Sequence, residues 1–272
     1  MSSVVEPLSV RGATSVHLRG LPRLTTDGVR VLDEDPDLAA ELTGDRLLAA
    51  RSRLIAPVTR HRAGAWPLSS PPEPARLGVL VLDGVLVREV LMEDTVSAEL
   101  LGAGDLIRPW HVDRPARLMR SDVRWTVLEP VRIAWLGSGF AVAAAPFPEI
   151  GATLLDRVAD RAQRLALTQA ISQLNGVDRR VHSLLWHLAE RWGRVARDGV
   201  VVPLALPHRI VASMVGARRP TVSTAIARLV SNGTVERRPD GTWLLRGEPV
   251  GLPTATTSRL VSLRRPTGAV VD

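Results

Sequence analysis

Toward the carboxyl end, apolar positions recur first at helical spacing and then in alternation. Ile210, Val211 and Met214 form a short apolar helical face, Gly216 can take the positive φ of a sharp turn, and Pro220 stands where a second helix can begin. From Val222 the apolar positions Ile226, Leu229 and Val230 follow at four, seven and eight, so one side of residues 219–231 is apolar. The other side carries Pro220, Ser223, Thr224, Ala227 and Arg228, with Arg218 and Arg219 at its amino end. Asn232-Gly233 suits an αL cap, and Val235 to Arg238 alternates toward the Asp240-Gly241 turn ahead of Thr242, Trp243, Leu244 and Leu245. The pattern predicts two helices about a glycine turn and a hairpin wing that carries Arg237 and Arg238.

Short and cationic side chains on one helix face let that helix approach a nucleic acid duplex closely, and the fork-shaped donors at its amino end suit base edges. Wing cations meet phosphates without reading sequence. A solvated helix pair with an ordinary hairpin is the alternative, because small helical pairs with a glycine turn are common.

Upstream, residues 1–36 read as an amino-terminal arm. Residues 37–55 read as a helix capped by Asp37, with Leu38, Leu42, Leu47 and Leu48 on one side and Pro57 beyond its end. Between Ala65 and Leu136 short apolar stretches alternate with turn residues: Leu77 to Leu82, Val85 to Val90, Leu100-Leu101, Leu106-Ile107, Trp125 to Leu128 and Val131 to Leu136, punctuated by Asp83-Gly84 and Gly102 to Asp105. Such spacing predicts an all-β roll or barrel. After Pro146 and Pro148, residues Ile150 to Leu174 read as one helix with a seam of Leu154, Leu155, Val158, Ala162, Leu165, Ile171 and Leu174. A seam of that kind pairs with a twin in a dimer, or else packs within its own chain. Asn175-Gly176 ends this helix, and Val181, Leu184, Leu185 and Leu188 begin the next.

The expected fold class is α+β. It comprises a β-roll with a leading helix over 37–146, a dimerisation helix over 147–176, a winged helix-turn-helix over 177–250 and a flexible tail over 251–272. In that tail Arg259, Arg264 and Arg265 add unspecific attraction for phosphate.

Composition narrows the chemistry. The 272 residues carry a net charge of +7 and no Lys, so all 35 basic residues are Arg. A positive balance favours a polyanionic partner, although the absence of Lys points first to a GC-rich genome. With no Cys, disulfides, thiolate zinc sites and thiol redox sensing are excluded. No apolar run approaches the roughly 20 residues of a membrane helix, and the amino terminus has no leader pattern, so the expected location is the cytoplasm. The six His stand at 17, 61, 111, 182, 187 and 208, without metal-ligand spacing in the β region. Lacking also a phosphate-cradling glycine loop and a nucleophile elbow, the chain is expected to have no catalytic residues, no metal site and no cofactor. A heme or metal on His61 or His111 is the alternative.

The order of β-roll, long helix and winged helix resembles the Crp/Fnr family of bacterial transcription regulators. The resemblance is sharpest at Val215-Gly216-Ala217-Arg218-Arg219-Pro220-Thr221-Val222-Ser223. It extends to Leu82-Asp83-Gly84-Val85 and to Leu101-Gly102-Ala103-Gly104-Asp105-Leu106-Ile107 in the β region. It implies a homodimer on a palindromic duplex site, with RNA polymerase as a further partner and no membrane. By position it implies that Arg219 reads a guanine and that Ser223 and Thr224 read neighbouring bases, with Arg228 further along the same face. His208, Arg209, Arg218 and Thr221 fall where the family meets phosphate, joined by Arg237 and Arg238 of the wing; for His208 a plain surface residue is the alternative.

Two departures change the expected operator. Pro220 stands where well-known members carry a base-reading Glu, and Thr224 stands where they carry a second Arg. Members that bind cyclic nucleotides hold the phosphate with a Gly-Glu pair and a later Arg-Ser or Arg-Thr pair. Here Arg108-Pro109-Trp110 replaces the first, and Arg120-Ser121 stands beside the repelling Asp122. The implied effector is therefore a small ligand other than an ordinary cyclic nucleotide, with Arg108, Trp110, Arg120 and Ser121 as the candidate pocket. A ligand-independent DNA-binding dimer is the alternative.

Overall fold

The structure, a computed structural model, describes residues 28–66, 77–109 and 121–249. Its first part runs β1 (Gly28–Arg30), α1 (Val31–Glu34), a 3-10 turn (Pro36–Ala39), α2 (Gly44–Arg53), β2 (Ile55–His61), β3 (Gly64–Ala65), β4 (Gly78–Met92), β5 (Thr95–Gly102), β6 (Leu106–Ile107) and β7 (Asp122–Leu136). The seven strands form one antiparallel sheet in the order β1-β2-β7-β4-β5, with β3 on β7 and β6 on β4. Residues Leu86, Leu101, Trp125, Val127 and Ile133 fill one of its cores.

The apolar stretches on either side of Asp83-Gly84, expected as separate strands, form one long strand, and so do those flanking Glu129-Pro130. Register breaks between Val81 and Leu86 place a bulge opposite Pro130, whose missing N–H would otherwise interrupt a central ladder. Gly84 takes φ +82°, and a Cβ there would come within 2.2 Å of the Pro130 carbonyl oxygen. The turn chemistry of Asp83-Gly84 therefore serves a bulge rather than a chain reversal. Asp83 accepts the Arg132 backbone N–H at 2.9 Å.

The helix expected over 37–55 is likewise corrected. Asp37 lies within the 3-10 turn, and α2 starts only at Gly44, whose φ of +55° no continuous right-handed helix can contain. Leu38 and Leu42 are buried while Leu48 is exposed, and Pro57 lies within β2.

Next come α3 (Ser138–Ala144) and the 25-residue α4 (Pro148–Ser172), which begins two residues before the expected Ile150, with Pro148 in its first turn, and ends two residues before Leu174. The single apolar seam expected here is divided between two faces. Ile150, Leu154 and Ile171 point inward and are buried, whereas Leu155 (68% exposed), Val158 and Leu165 form an outward stripe. Toward the sheet, α4 turns guanidiniums. Arg157 pairs with Asp35, Arg161 grips Glu99 through Nε at 2.6 Å and Nη2 at 2.8 Å, and Arg164 reaches Asp105 at 2.6 Å. These stand at four- and three-residue steps, hence on one face.

The remainder is α5 (Val177–Trp192), β8 (Arg194–Ala196), β9 (Gly199–Val202), α6 (His208–Val215), α7 (Arg219–Ser231), β10 (Val235–Arg237) and β11 (Trp243–Leu245). The strands form a second antiparallel sheet in the order β10-β11-β9-β8. The β8–β9 hairpin is an addition to the expected elements, and Asp198-Gly199 is the turn signal that would have found it. This head packs on the roll: Val85, Val87, Ala98 and Leu100 share one apolar cluster with Ile210, Val211, Met214 and Val222. Where β4 is covered on both faces, at residues 79–81 and 85–87, its sequence is apolar at successive positions without alternation.

Candidate nucleic-acid interface

The turn between α6 and α7 is built on Gly216 at φ +61°, ψ +46°, with the Ala217 N–H donating to the Ala212 carbonyl at 3.0 Å. This is a left-handed helix ending that returns donors to the last carbonyls of α6. Arg180 of α5 braces it from below, donating to Leu174 O at 2.6 Å and approaching the Val215 and Gly216 carbonyls at 3.4 Å. Arg218 then caps α7 in extended conformation and Pro220 lies in its first turn.

Val222, Ala225, Ile226 and Leu229 anchor α7 in the core. Val230, expected on that apolar side, is exposed at 42%. Outward stand Arg218, Arg219, Pro220, Thr221, Thr224, Ala227 and Arg228, all exposed to solvent. A thirteen-residue helix thus offers a face of small and cationic side chains across its whole length. Thr224 back-bonds to Pro220 O at 3.2 Å. Arg228, at the far end of the helix, lies 3.3 Å from Asp178 of α5 in an exposed pair.

At the amino end of α7 three elements meet in a cationic cup of about 450 Å³, lined by Pro207, His208, Arg209, Arg219 and Arg237. A chain of hydrogen bonds ties them together. Arg237 Nη1 lies 2.9 Å from His208 Nε2, and His208 Nδ1 lies 2.9 Å from Ser223 Oγ. Since a guanidinium only donates, Nε2 accepts and the proton sits on Nδ1, which donates to Ser223. Ser223 Oγ in turn donates to the Arg219 carbonyl at 3.1 Å. Burial lowers the His208 pKa from its ordinary 6.5, and the charges of Arg237 and Arg219 lower it further, which keeps the imidazole neutral. Arg237 also stacks on Trp243 at 5.0 Å. Ser223 is half-buried with its hydroxyl engaged on both sides, so Thr224 is the more accessible of the two expected base readers.

Arg238 follows β10, its N–H donating to Thr242 O at 2.9 Å across the Asp240-Gly241 turn. Arg209 has its guanidinium on Glu89 of β4. That partner is 120 residues away in the chain, and no local signal marks the pair.

Of the residues expected to form an effector pocket, Arg108 and Ser121 do not come together. Arg108 follows β6 and donates to Leu77 O at 2.9 Å, beside a groove of about 640 Å³ whose walls include Leu106, Phe147, Ile150 and Leu154. Ser121 precedes β7. Ile107 is opposite Val79 and Asp122 is opposite Leu91, so the two sites sit near opposite ends of β4. They are separated by about 40 Å measured along a strand. Trp110 and Arg120 lie outside the described residues, as does His111. Among the described residues, no group of three or more His, Asp or Glu could hold a metal ion, and no helix is long and apolar enough to cross a membrane.

Fold and site together define a winged helix-turn-helix protein with an antiparallel β-roll ahead of its long helix. Residues 179–246 match the family model of the Crp-like helix-turn-helix domain. The chain is similar in structure to a CooA mutant from Carboxydothermus hydrogenoformans, at 19% identity over 71% of this chain and 84% of that one, with a TM-score of 0.55. It is also similar to FixK2 from Bradyrhizobium japonicum, at 17% identity over 71% and 94% of the two chains, with a TM-score of 0.54. A cyclic nucleotide-binding domain containing protein from Listeria monocytogenes EGD-e matches at 16% identity over 70% and 89%, with a TM-score of 0.56. No curated protein matches the sequence. The Crp-like assignment thus rests on the domain match, and the structural neighbours extend the fold to the roll and the long helix.

Proposed function

We propose that the protein is a sequence-specific DNA-binding transcription regulator of Crp/Fnr type. The observation that carries this reading is the outward face of α7, which presents Arg219, Thr224 and Arg228 beside a cup of wing and α6 cations. In this reading Arg219, Thr224 and Arg228 meet base edges, with Ser223 beside them. His208, Arg209, Arg218, Thr221, Arg237 and Arg238 meet phosphate. The outward stripe of Leu155, Val158 and Leu165 supports a dimer in which two copies of α4 pair. Two copies of α7 then enter successive major grooves about 34 Å apart.

Footprinting on genomic fragments tests this: the expected result is a twofold-symmetric protected site, and purified protein that shifts no fragment would sink the reading. Within such a site, Arg219→Ala is expected to cost about 1 to 3 kcal/mol of specific binding and to blur one base position. An equal loss on random duplex would remove Arg219 from the base readers.

For control of the head we propose a small effector other than an ordinary cyclic nucleotide. Arg108-Pro109 stands where a phosphate-binding Glu would be needed, and Arg108 is remote from Ser121. Millimolar cyclic AMP and cyclic GMP should leave the melting temperature unchanged, since a ligand held only by the folded form must raise it. A rise with either one overturns the exclusion.

A further inference from the structure

Glu89 stands out among the charged residues of the roll. It lies in β4, it is fully buried at 0% exposure, and among the described residues only Arg209 pairs with it. Its second oxygen, Oε2, is buried with no hydrogen-bond partner. A carboxylate so placed is held in a costly environment by one guanidinium, and that guanidinium belongs to the head rather than to the roll.

The sheet explains the placement. Side chains two apart on β4 share a face, so Glu89 continues the row of Val85 and Val87. Opposite it on β5 stands Ala98, which with Leu100 completes the patch covered by the head. Glu89 is thus the buried charge of a largely apolar docking face, with the exposed Arg124 opposite it on β7 at the rim. Its partner Arg209 is half exposed and also lines the cationic cup with His208, Arg219 and Arg237.

We infer that Glu89 is a positioning residue for DNA binding: it holds Arg209 away from the duplex, so that a DNA phosphate and the Glu89 carboxylate compete for one guanidinium. This inference rests on the DNA-binding reading above. Docking of the head on the roll then neutralises one of the three arginines of the cup. Release of the head lets water reach Glu89 and returns Arg209 to the phosphate path. The roll thereby gains a means of lowering affinity for every duplex without touching the base-reading face.

The test is binding of the full chain to operator and to random duplex across a range of salt. Glu89→Gln removes the charge at constant shape. If Glu89→Gln does not fold, Glu89→Met removes the charge at similar volume, an exchange that buried ion pairs often tolerate. Engaging one more DNA phosphate steepens the salt dependence by about 0.9 in log-log slope, which corresponds to about fivefold tighter binding near 0.15 M salt. The expected result is that gain on both duplexes, and its disappearance when Arg209→Gln is added. Folded Glu89 variants with unchanged or weaker binding overturn the inference, as does a gain that survives loss of Arg209. Wild-type protein that binds no duplex overturns the DNA reading itself, so the two failures are distinct.

Discussion

His208 illustrates how a single side chain joins three elements. Accepting from Arg237 on the wing and donating to Ser223 on α7, it works only as the neutral imidazole. Its pKa is lowered by burial first and by Arg237 and Arg219 after that. The unfolded chain therefore takes up a proton at higher pH than the native one. This contribution to stability is fully present above pH 6.5 and is lost as pH falls through the lower native pKa. His61 and His182, lowered by burial, act in the same direction. Stability should fall on acidification from about pH 7 to about pH 5, and His208→Gln should flatten part of that slope in denaturant titrations. An unchanged slope would show that His208 does not titrate across this window.

Two glycines show how differently an element can depend on one backbone position. At Gly216 an added Cβ meets nothing nearer than Ser172 Cβ at 3.8 Å, so Gly216→Ala is expected to cost only the left-handed conformation, about 1 kcal/mol. At Gly84 the Cβ would lie 2.2 Å from a backbone oxygen, that of Pro130. No rotamer relieves that contact, and Gly84→Ala should cost roughly 3 kcal/mol as β4 and β7 separate at the bulge. Equilibrium unfolding of the two variants checks the order, and equal losses would contradict the bulge account. Because the left-handed turn itself tolerates a small side chain better, the helix-turn-helix should survive Gly216→Ala with DNA binding largely intact.

Across the whole molecule, Asp105 is the junction of roll, long helix and head. It is 2% exposed and accepts from Arg164 of α4 at 2.6 Å, from Arg191 of α5 at 2.7 Å and from the Gly102 N–H at 2.9 Å. A turn of the roll is thus tied at one carboxylate to the long helix α4 and to α5, the first helix of the head. Asp105→Asn leaves two partly buried guanidiniums uncompensated and should destabilise by about 3 kcal/mol in denaturant titrations. A cost below about 1 kcal/mol would mean that water replaces the carboxylate there. On the far side of α4, Leu155→Asp with Val158→Asp should yield a monomer by sedimentation while changing protomer stability by no more than about 0.5 kcal/mol, since both positions are exposed. A dimer that persists would move the pairing surface elsewhere.

Local chemistry in the sequence determined the helix-turn-helix and its wing, since apolar spacing, Gly216, Pro220 and Asp240-Gly241 all act within a few residues of themselves. The same holds for the long helix after Pro148 and for the strand-rich character of the roll. Tertiary structure alone decided what depends on distant partners: the fusion of four expected strands into β4 and β7 around Gly84 and Pro130, the arginine face of α4 against Asp35, Glu99 and Asp105, and the pairing of Arg209 with Glu89. It also separated Arg108 from Ser121, which a linear motif places side by side in one pocket. A residue's spacing along the chain carries its local backbone preference, whereas the partner of a buried charge is set by which surfaces the folded chain brings together.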